Sequence, residues 1–158
     1  MASIRKEIWL DAAPETVWNA IRDVGSVHRR LAAGFVADCR LEDAGAARVV
    51  TFANGLTARE LIVDIDDGAR RLVWAVVDGR PKHHNASLQV FAEAGKSSRI
   101  VWIADLLPND LAEPIAGMME EGMRAMKRTL AGSKDAGASH EPIASPAAEP
   151  RTIGSSTS

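Results

Sequence analysis

The sequence has little cysteine, no excess of one charge and no long hydrophobic run. Cys39 is the only cysteine in 158 residues, which excludes an intrachain disulfide framework and a multi-cysteine metal site. The 19 basic and 21 acidic residues are mixed along the chain, so no basic stripe is present for nucleic acid or an anionic membrane. Neither a membrane-spanning apolar run nor a secretory signal is visible. We therefore expect a cytoplasmic protein with no membrane span and no nucleic-acid partner.

Composition divides the chain into two regions. Residues 132–158 are rich in Gly, Ser, Ala and Pro and contain only two large aliphatic residues, Ile143 and Ile153. Such a segment cannot bury enough apolar area to offset the entropy lost on ordering, which predicts a disordered tail over 132–158. Residues 1–131 are then expected to form one domain of ordinary size.

Hydrophobic periodicity predicts seven strands and three helices. The first strand covers residues 4–10, and two short helices follow it, one beginning at Pro14 and broken by Gly25, the other over 26–31. Six further strands are predicted at 35–42, 48–52, 57–66, 71–77, 85–94 and 99–107. A long amphipathic helix, from an Asn109 cap to about Leu130, ends the domain.

This order of elements predicts an α+β fold with a cavity. Short turns between consecutive strands favour an antiparallel meander, and seven strands can bury one face against a single long helix only if the sheet curves strongly around it. The space between the sheet, the long helix and the short helices need not fill with side chains. We therefore predict a small-molecule cavity there.

Several motifs along this order of elements have a familiar arrangement. They are Ala13-Pro14-Glu15-Thr16-Val17-Trp18 followed by Asp23, Asn54-Gly55-Leu56 with Glu60-Leu61, Asp66-Asp67, Arg70-Arg71-Leu72, and Arg99-Ile100-Val101-Trp102. Together they resemble the START/Bet v 1-like (SRPBCC) superfamily, in its polyketide cyclase/dehydrase-type branch, over roughly residues 3–131. The resemblance implies the helix-grip fold and a cavity for hydrophobic or amphipathic molecules. Because no cofactor loop or metal set is recognisable, we expect neither a cofactor nor a metal.

The chain is also similar to the plant abscisic acid receptors of that superfamily. This similarity implies that gate loops at Asn54, Gly55 and Leu56 and around His83 and His84 control access to the cavity. The ligand contacts that it implies are Glu60, Trp74, Asn85, Ser87, Met118, Gly122 and Met126. The lysine that binds the hormone's carboxylate in those receptors corresponds to Ala37, so abscisic acid is not the expected ligand.

The chemistry of these residues leaves alternatives open. Glu60 alternates with Ala58 and Ile62, and it either acts on the ligand as an acceptor or general acid or base, or pairs with a basic residue and holds strands together. Trp74 either stacks on a ring or fills the core. Neighbouring histidines in a strand point to opposite faces, which speaks against a metal site at His83 and His84.

Non-covalent binding of a hydrophobic or amphipathic small molecule is the favoured function. One alternative is a polyketide cyclase, aromatase or dehydratase that uses Glu60 as its general acid or base. The other is a protein-interaction module with a filled core, in which an outward-facing Trp9 and the tail would contribute most to the interface. Independently of the function, a homodimer is an alternative to a monomer.

Overall fold

The computed structural model describes residues 1–136, with side chains through residue 132. Within this range the fold consists of one antiparallel sheet, two α-helices and a π-helical turn. The strands are β1 (Ala2–Leu10), β2 (Val36–Glu42), β3 (Ala47–Phe52), β4 (Thr57–Asp66), β5 (Arg71–Val76), β6 (His83–Glu93) and β7 (Ser97–Leu107). The helical segments are α1 (Pro14–Arg22), the π-helical turn (Val27–Leu31) and α2 (Ala112–Ala136). Of the tail predicted over 132–158, residues 132–136 belong to α2 and residues 137–158 lie outside the described residues.

The seven strands form one sheet in the order β1-β7-β6-β5-β4-β3-β2, and all neighbours are antiparallel. Register shifts between Val36 and Asp38 and between Ile62 and Asp64 interrupt two of the ladders. Such bulges bend a strand and increase its twist, which helps the sheet to curve around α2. The predicted α+β architecture, with two short helical elements after the first strand, is confirmed.

One end of the inner sheet face is covered by α1. Proline at the first helical position and Glu15 in the first turn favour a helix start here. Val17 and Ile21 are fully buried, and the indole Nε1 of Trp18 donates a hydrogen bond of 2.9 Å to Asp67 in the β4–β5 turn. Because α1 presents large apolar side chains to the sheet, this end of the fold is packed.

The bounds of two elements differ from those expected. Helix α2 continues to Ala136, beyond the predicted domain end at residue 131, because helical hydrogen bonds propagate past the last core contact at Leu130. Asn109 does not cap this helix, since it begins a short 3-10 turn, Asn109–Leu111, that precedes α2. Strand β6 begins at His83, so both gate-loop histidines belong to the strand.

Candidate ligand-binding cavity

The other end of the inner sheet face is hollow. A cavity with a volume of about 280 Å³ lies between the sheet, α2, the π-helical turn and the loops that follow β3 and β5. Much of its wall is aliphatic, with contributions from Val27, Leu31, Val50, Leu88, Ile115 and Met119. The core is therefore not filled at this end, contrary to the interpretation of the chain as an interaction module with a filled core.

A buried ion pair forms part of the cavity wall. Arg48 in β3 and Glu60 in β4 are direct cross-strand partners, and Arg48 Nε lies 2.7 Å from Glu60 Oε2. The two side chains are only 5% and 8% exposed. Arg48 Nη1 also donates to the carbonyl oxygen of Val24, at 3.2 Å, which ties the sheet to the segment before the π-helical turn. Glu60 is thus on the cavity wall, but it is engaged by a guanidinium rather than alone among apolar groups.

Aromatic side chains surround this pair. The guanidinium carbon of Arg48 lies 5.6 Å from the ring centroid of Trp74, within the range of a cation–π contact. The rings of Trp74 and Trp102 are 6.0 Å apart and inclined by 50°. Phe35 and Phe52 form a second, edge-to-face pair at 5.3 Å. Because all four rings contact the cavity, Trp74 and Trp102 serve as wall and core together.

Three of the predicted contacts come from α2, and they have different roles. Met118 and Met126 line the cavity, as does Met119 between them. Gly122 is buried but does not line it. A Cβ at this position would lie 2.9 Å from Trp102 and 3.1 Å from Phe35, so the glycine allows the helix to approach these rings. Gly122 is therefore corrected from a ligand contact to a packing position.

The predicted ligand contacts in β6 face away from the cavity. Asn85 pairs with Ala75 and Ser87 pairs with Val73, whereas the cavity is lined by residues of the opposite parity, such as Trp74 and Leu88. Directly paired residues share a sheet face, so Asn85 and Ser87 lie on the outer face. The register implied by the resemblance for β6 is therefore shifted by one residue. Such a shift places every side chain of the strand on the opposite face.

The mouth of the cavity is formed by the two predicted gate loops. Leu56 lines the cavity while remaining 58% exposed, and its backbone N–H donates to the Asn54 side chain at 3.0 Å. Gly55 has a φ of +87°, a conformation that favours glycine. Asn54 and Gly55 shape this turn without lining the cavity.

The second gate loop follows β5. Its residues Gly79, Arg80 and Pro81 line the cavity.

The two histidines at the start of β6 are separated by the sheet. His84 lines the cavity, whereas His83 is exposed and does not. Burial lowers the pKa of His84, and the nearby His83 lowers it further, so the neutral imidazole is favoured. Between residues 1 and 132, no group of three or more His, Cys, Asp or Glu side chains is arranged to hold a metal ion.

Arg48 is the main site residue that the sequence analysis missed, although a signal was present. A hairpin whose turn is centred near Asn54 places residue 48 opposite residue 60, and Arg48 alternates with the apolar Val50. A basic and an acidic residue at such paired positions indicate a cross-strand ion pair. The residue at the receptors' lysine position, Ala37, is exposed and does not line the cavity, so the cation at the wall comes from another strand.

Comparison with known proteins places this cavity in a family. Residues 1–136 match the family described as polyketide cyclase / dehydrase and lipid transport. A search of curated protein sequences gives no match. No helix within the described residues is long and apolar enough to cross a membrane.

Several solved structures have the same fold. An uncharacterised protein from Bacillus thuringiensis is 17% identical, and the alignment covers 82% of this chain and 99% of that one with a TM-score of 0.74. A START superfamily protein from Mycobacterium smegmatis is 10% identical over 83% and 98% of the two chains, with a TM-score of 0.67. Norcoclaurine synthase from Thalictrum flavum, in complex with dopamine and hydroxybenzaldehyde, is 16% identical over 83% and 87%, with a TM-score of 0.62.

At such identities these structures establish the fold, which is the predicted helix-grip fold with its curved sheet around a long C-terminal helix. The resemblance to the START/Bet v 1-like superfamily is confirmed, while the closer likeness to abscisic acid receptors stays a prediction. By its match over residues 1–136, the chain belongs to the polyketide cyclase / dehydrase and lipid transport family of that superfamily.

Proposed function

We propose that the cavity binds a small hydrophobic or amphipathic molecule non-covalently. The observation that carries this proposal is an unfilled space of about 280 Å³ with mostly aliphatic and aromatic walls. Ligand sites in proteins typically have volumes of about 300–1,000 Å³ and few polar groups, so this cavity lies at the small end of the range. A ring system or a short chain suits such a volume better than a lipid with two long acyl chains.

The polar groups of the wall would orient the ligand. Arg48 uses Nε and Nη1 in its bonds to Glu60 and Val24, which leaves Nη2 as a donor and Glu60 Oε1 as an acceptor. A neutral carbonyl or hydroxyl on the ligand can use these groups without leaving a charge unpaired in the interior. The ion pair thereby favours a ligand whose inner end is polar but uncharged.

The experiment is a fluorescence titration with phenylnaphthylamine, an uncharged dye that brightens in apolar surroundings. Ala58 lines the cavity, and Ala58→Phe should fill part of it, so we expect dye affinity to fall by at least about tenfold. Ala75→Phe is the matched control, because Ala75 lies on the outer sheet face beside Asn85. Equal dye affinity in the wild type, Ala58→Phe and Ala75→Phe would contradict binding in the cavity.

An enzymatic function is the second candidate, and the placement of His84 favours it. His84 lines the cavity together with Glu60, and β5, which carries the Glu60 partner Val76, lies between their two strands. Two strand spacings separate their backbones, or about 10 Å. A neutral imidazole can accept a proton near pH 7, as a cyclase or dehydratase requires. Turnover of a polyketide substrate that survives unchanged in His84→Gln and Glu60→Gln would remove both proposed groups from the chemistry.

A further inference from the structure

Charge is unevenly distributed along the cavity wall. The ionisable residues that line it, within residues 1–132, are Arg48, Glu60, Arg80 and His84. Arg48 and Glu60 neutralise one another at 2.7 Å, and burial favours the neutral form of His84. The interior therefore has no net charge, and the remaining charge is the guanidinium of Arg80 at the mouth.

Arg80 is free to meet a ligand. It is exposed and forms no ion pair or side-chain hydrogen bond with any other residue of the described part of the chain. The carboxylate of Asp78, close by in the same loop, accepts the backbone N–H of Arg59 at 3.0 Å. Pro81 follows directly and restricts the local backbone. Within the described residues, the loop thus presents a guanidinium with no ion-pair partner at the opening of an apolar cavity.

We propose that the molecule bound in the cavity is an amphipathic anion, with its apolar body inside and its carboxylate or sulfonate facing Arg80 at the mouth. This inference rests on the proposed function. An anion pushed inside would meet a wall in which Arg48 is already paired with Glu60, and it would lose its hydration without gaining an unpaired cation. At the mouth the anionic group keeps much of its hydration while the apolar body leaves water.

A second cationic surface competes with this assignment. A cleft beside α2 is lined by Gly34, Phe35, Glu121, Arg124 and Arg128. It shares Phe35 with the cavity, so an anionic group could in principle lie on either side of that ring. Its two arginines share the cleft with the carboxylate of Glu121, whereas in the loop at the mouth Arg80 lines the cavity and Asp78 and Lys82 do not. Arg80 also lines the cavity itself, which favours the mouth.

Two dyes with the same aromatic body test the proposal. Anilinonaphthalene sulfonate carries one negative charge, and phenylnaphthylamine is its uncharged parent. We expect Arg80→Gln to weaken sulfonate binding by about two- to fivefold at low ionic strength, as is typical of a partly exposed ion pair, and to leave phenylnaphthylamine binding unchanged. The loss should shrink as salt is added. Arg80→Lys should retain most of the affinity.

Lys82→Gln is the matched control, because Lys82 is an exposed cation of the same loop that does not line the cavity. It should leave both dissociation constants unchanged. The assignment to Arg80 is overturned if Arg80→Gln changes the dissociation constants of the two dyes equally. It is also overturned if the double variant Arg124→Gln with Arg128→Gln, rather than Arg80→Gln, selectively weakens binding of the sulfonate. If neither dye binds the wild type, the proposed function itself fails, which is a different result.

Discussion

The two ends of the inner sheet face differ although one pattern of alternation builds both. At the α1 end, Val17, Ile21, Leu72 and Ile100 have no exposed surface. At the other end, an equally apolar wall surrounds empty space and includes the Arg48–Glu60 pair. The difference comes from what covers the sheet, because α1 brings large side chains whereas the mouth is covered by two loops. Whether a cavity forms thus depends on what covers the sheet and not on the alternation within its strands.

The buried ion pair should give the largest effect. Glu60→Leu leaves the Arg48 guanidinium buried without a carboxylate, so we expect the free energy of unfolding to fall by about 3–5 kcal/mol in urea denaturation. The double variant Arg48→Met with Glu60→Leu should recover most of this loss, because it leaves no unpaired charge. A double variant as unstable as the single one would show that the pair holds the wall together by more than charge compensation.

Leucine truncations compare a packed position with a cavity-lining position beside it. Leu72 and Leu88 are cross-strand partners that are 0% and 2% exposed, but only Leu88 lines the cavity. Leu72→Ala should cost about 3–4 kcal/mol of unfolding free energy. Leu88→Ala should cost about 1–2 kcal/mol less, because Leu88 has fewer packing partners to lose on its cavity side. Equal losses in urea denaturation would mean that Leu88 is packed as tightly on its cavity side as Leu72 is in the core.

The sequence predicted much of the fold because its signals are local. Turn sequences and period-two alternation located the seven strands, and the apolar face that includes Met119, Met123 and Met126 located α2. The helix end was missed because residues beyond Leu130 continue the helix without an apolar face. The pattern of apolar residues indicates which part of a helix is buried. It does not indicate how far backbone hydrogen bonds continue the helix beyond its buried part.

The site was harder to predict because it depends on register and on partners far along the chain. Glu60, Trp74, Met118 and Met126 were placed on the wall, while a shift of one residue put Asn85 and Ser87 on the wrong face. The alternation of Ala86, Leu88 and Val90, all buried, indicates the inward face, whereas the resemblance pointed to the outward one. The role of Gly122 depends on Phe35 and Trp102, which no local pattern brings to it.

Alanine substitutions at two glycines of α2 should have opposite effects. Gly122→Ala places a methyl group against Trp102 and Phe35, so overpacking should cost about 1–3 kcal/mol of unfolding free energy. At Gly117 no heavy atom lies within 4 Å of the added Cβ, so Gly117→Ala should stabilise the helix by about 0.5–1 kcal/mol. Thermal denaturation checks both, and a stabilised Gly122→Ala would show that the helix does not press on these rings.

The smallest effect is expected from the pH dependence of His84. Its pKa lies below the ordinary value of 6.5, chiefly because of burial, so the unfolded chain binds this proton more readily than the folded one. The corresponding stability is present above about pH 6.5 and is lost as the pH falls through the folded-state pKa. His84→Gln should flatten urea midpoints between about pH 7 and 5. The control His83→Gln should leave most of this pH dependence of the urea midpoint in place. Carboxylates such as Asp67, whose pKa is lowered by Arg22, titrate at lower pH and do not contribute in this range.

The four tryptophans provide the most direct test of a binding cavity at one end of the sheet. Trp74 and Trp102 line the cavity, Trp18 belongs to the packed α1 end, and Trp9 is 57% exposed on the outer face. Each indole N–H gives its own signal in a proton–nitrogen NMR spectrum. On titration with phenylnaphthylamine, we expect the signals of Trp74 and Trp102 to shift while those of Trp18 and Trp9 stay in place. Shifts confined to Trp9, or equal shifts of all four signals, would contradict a ligand cavity at this end of the fold.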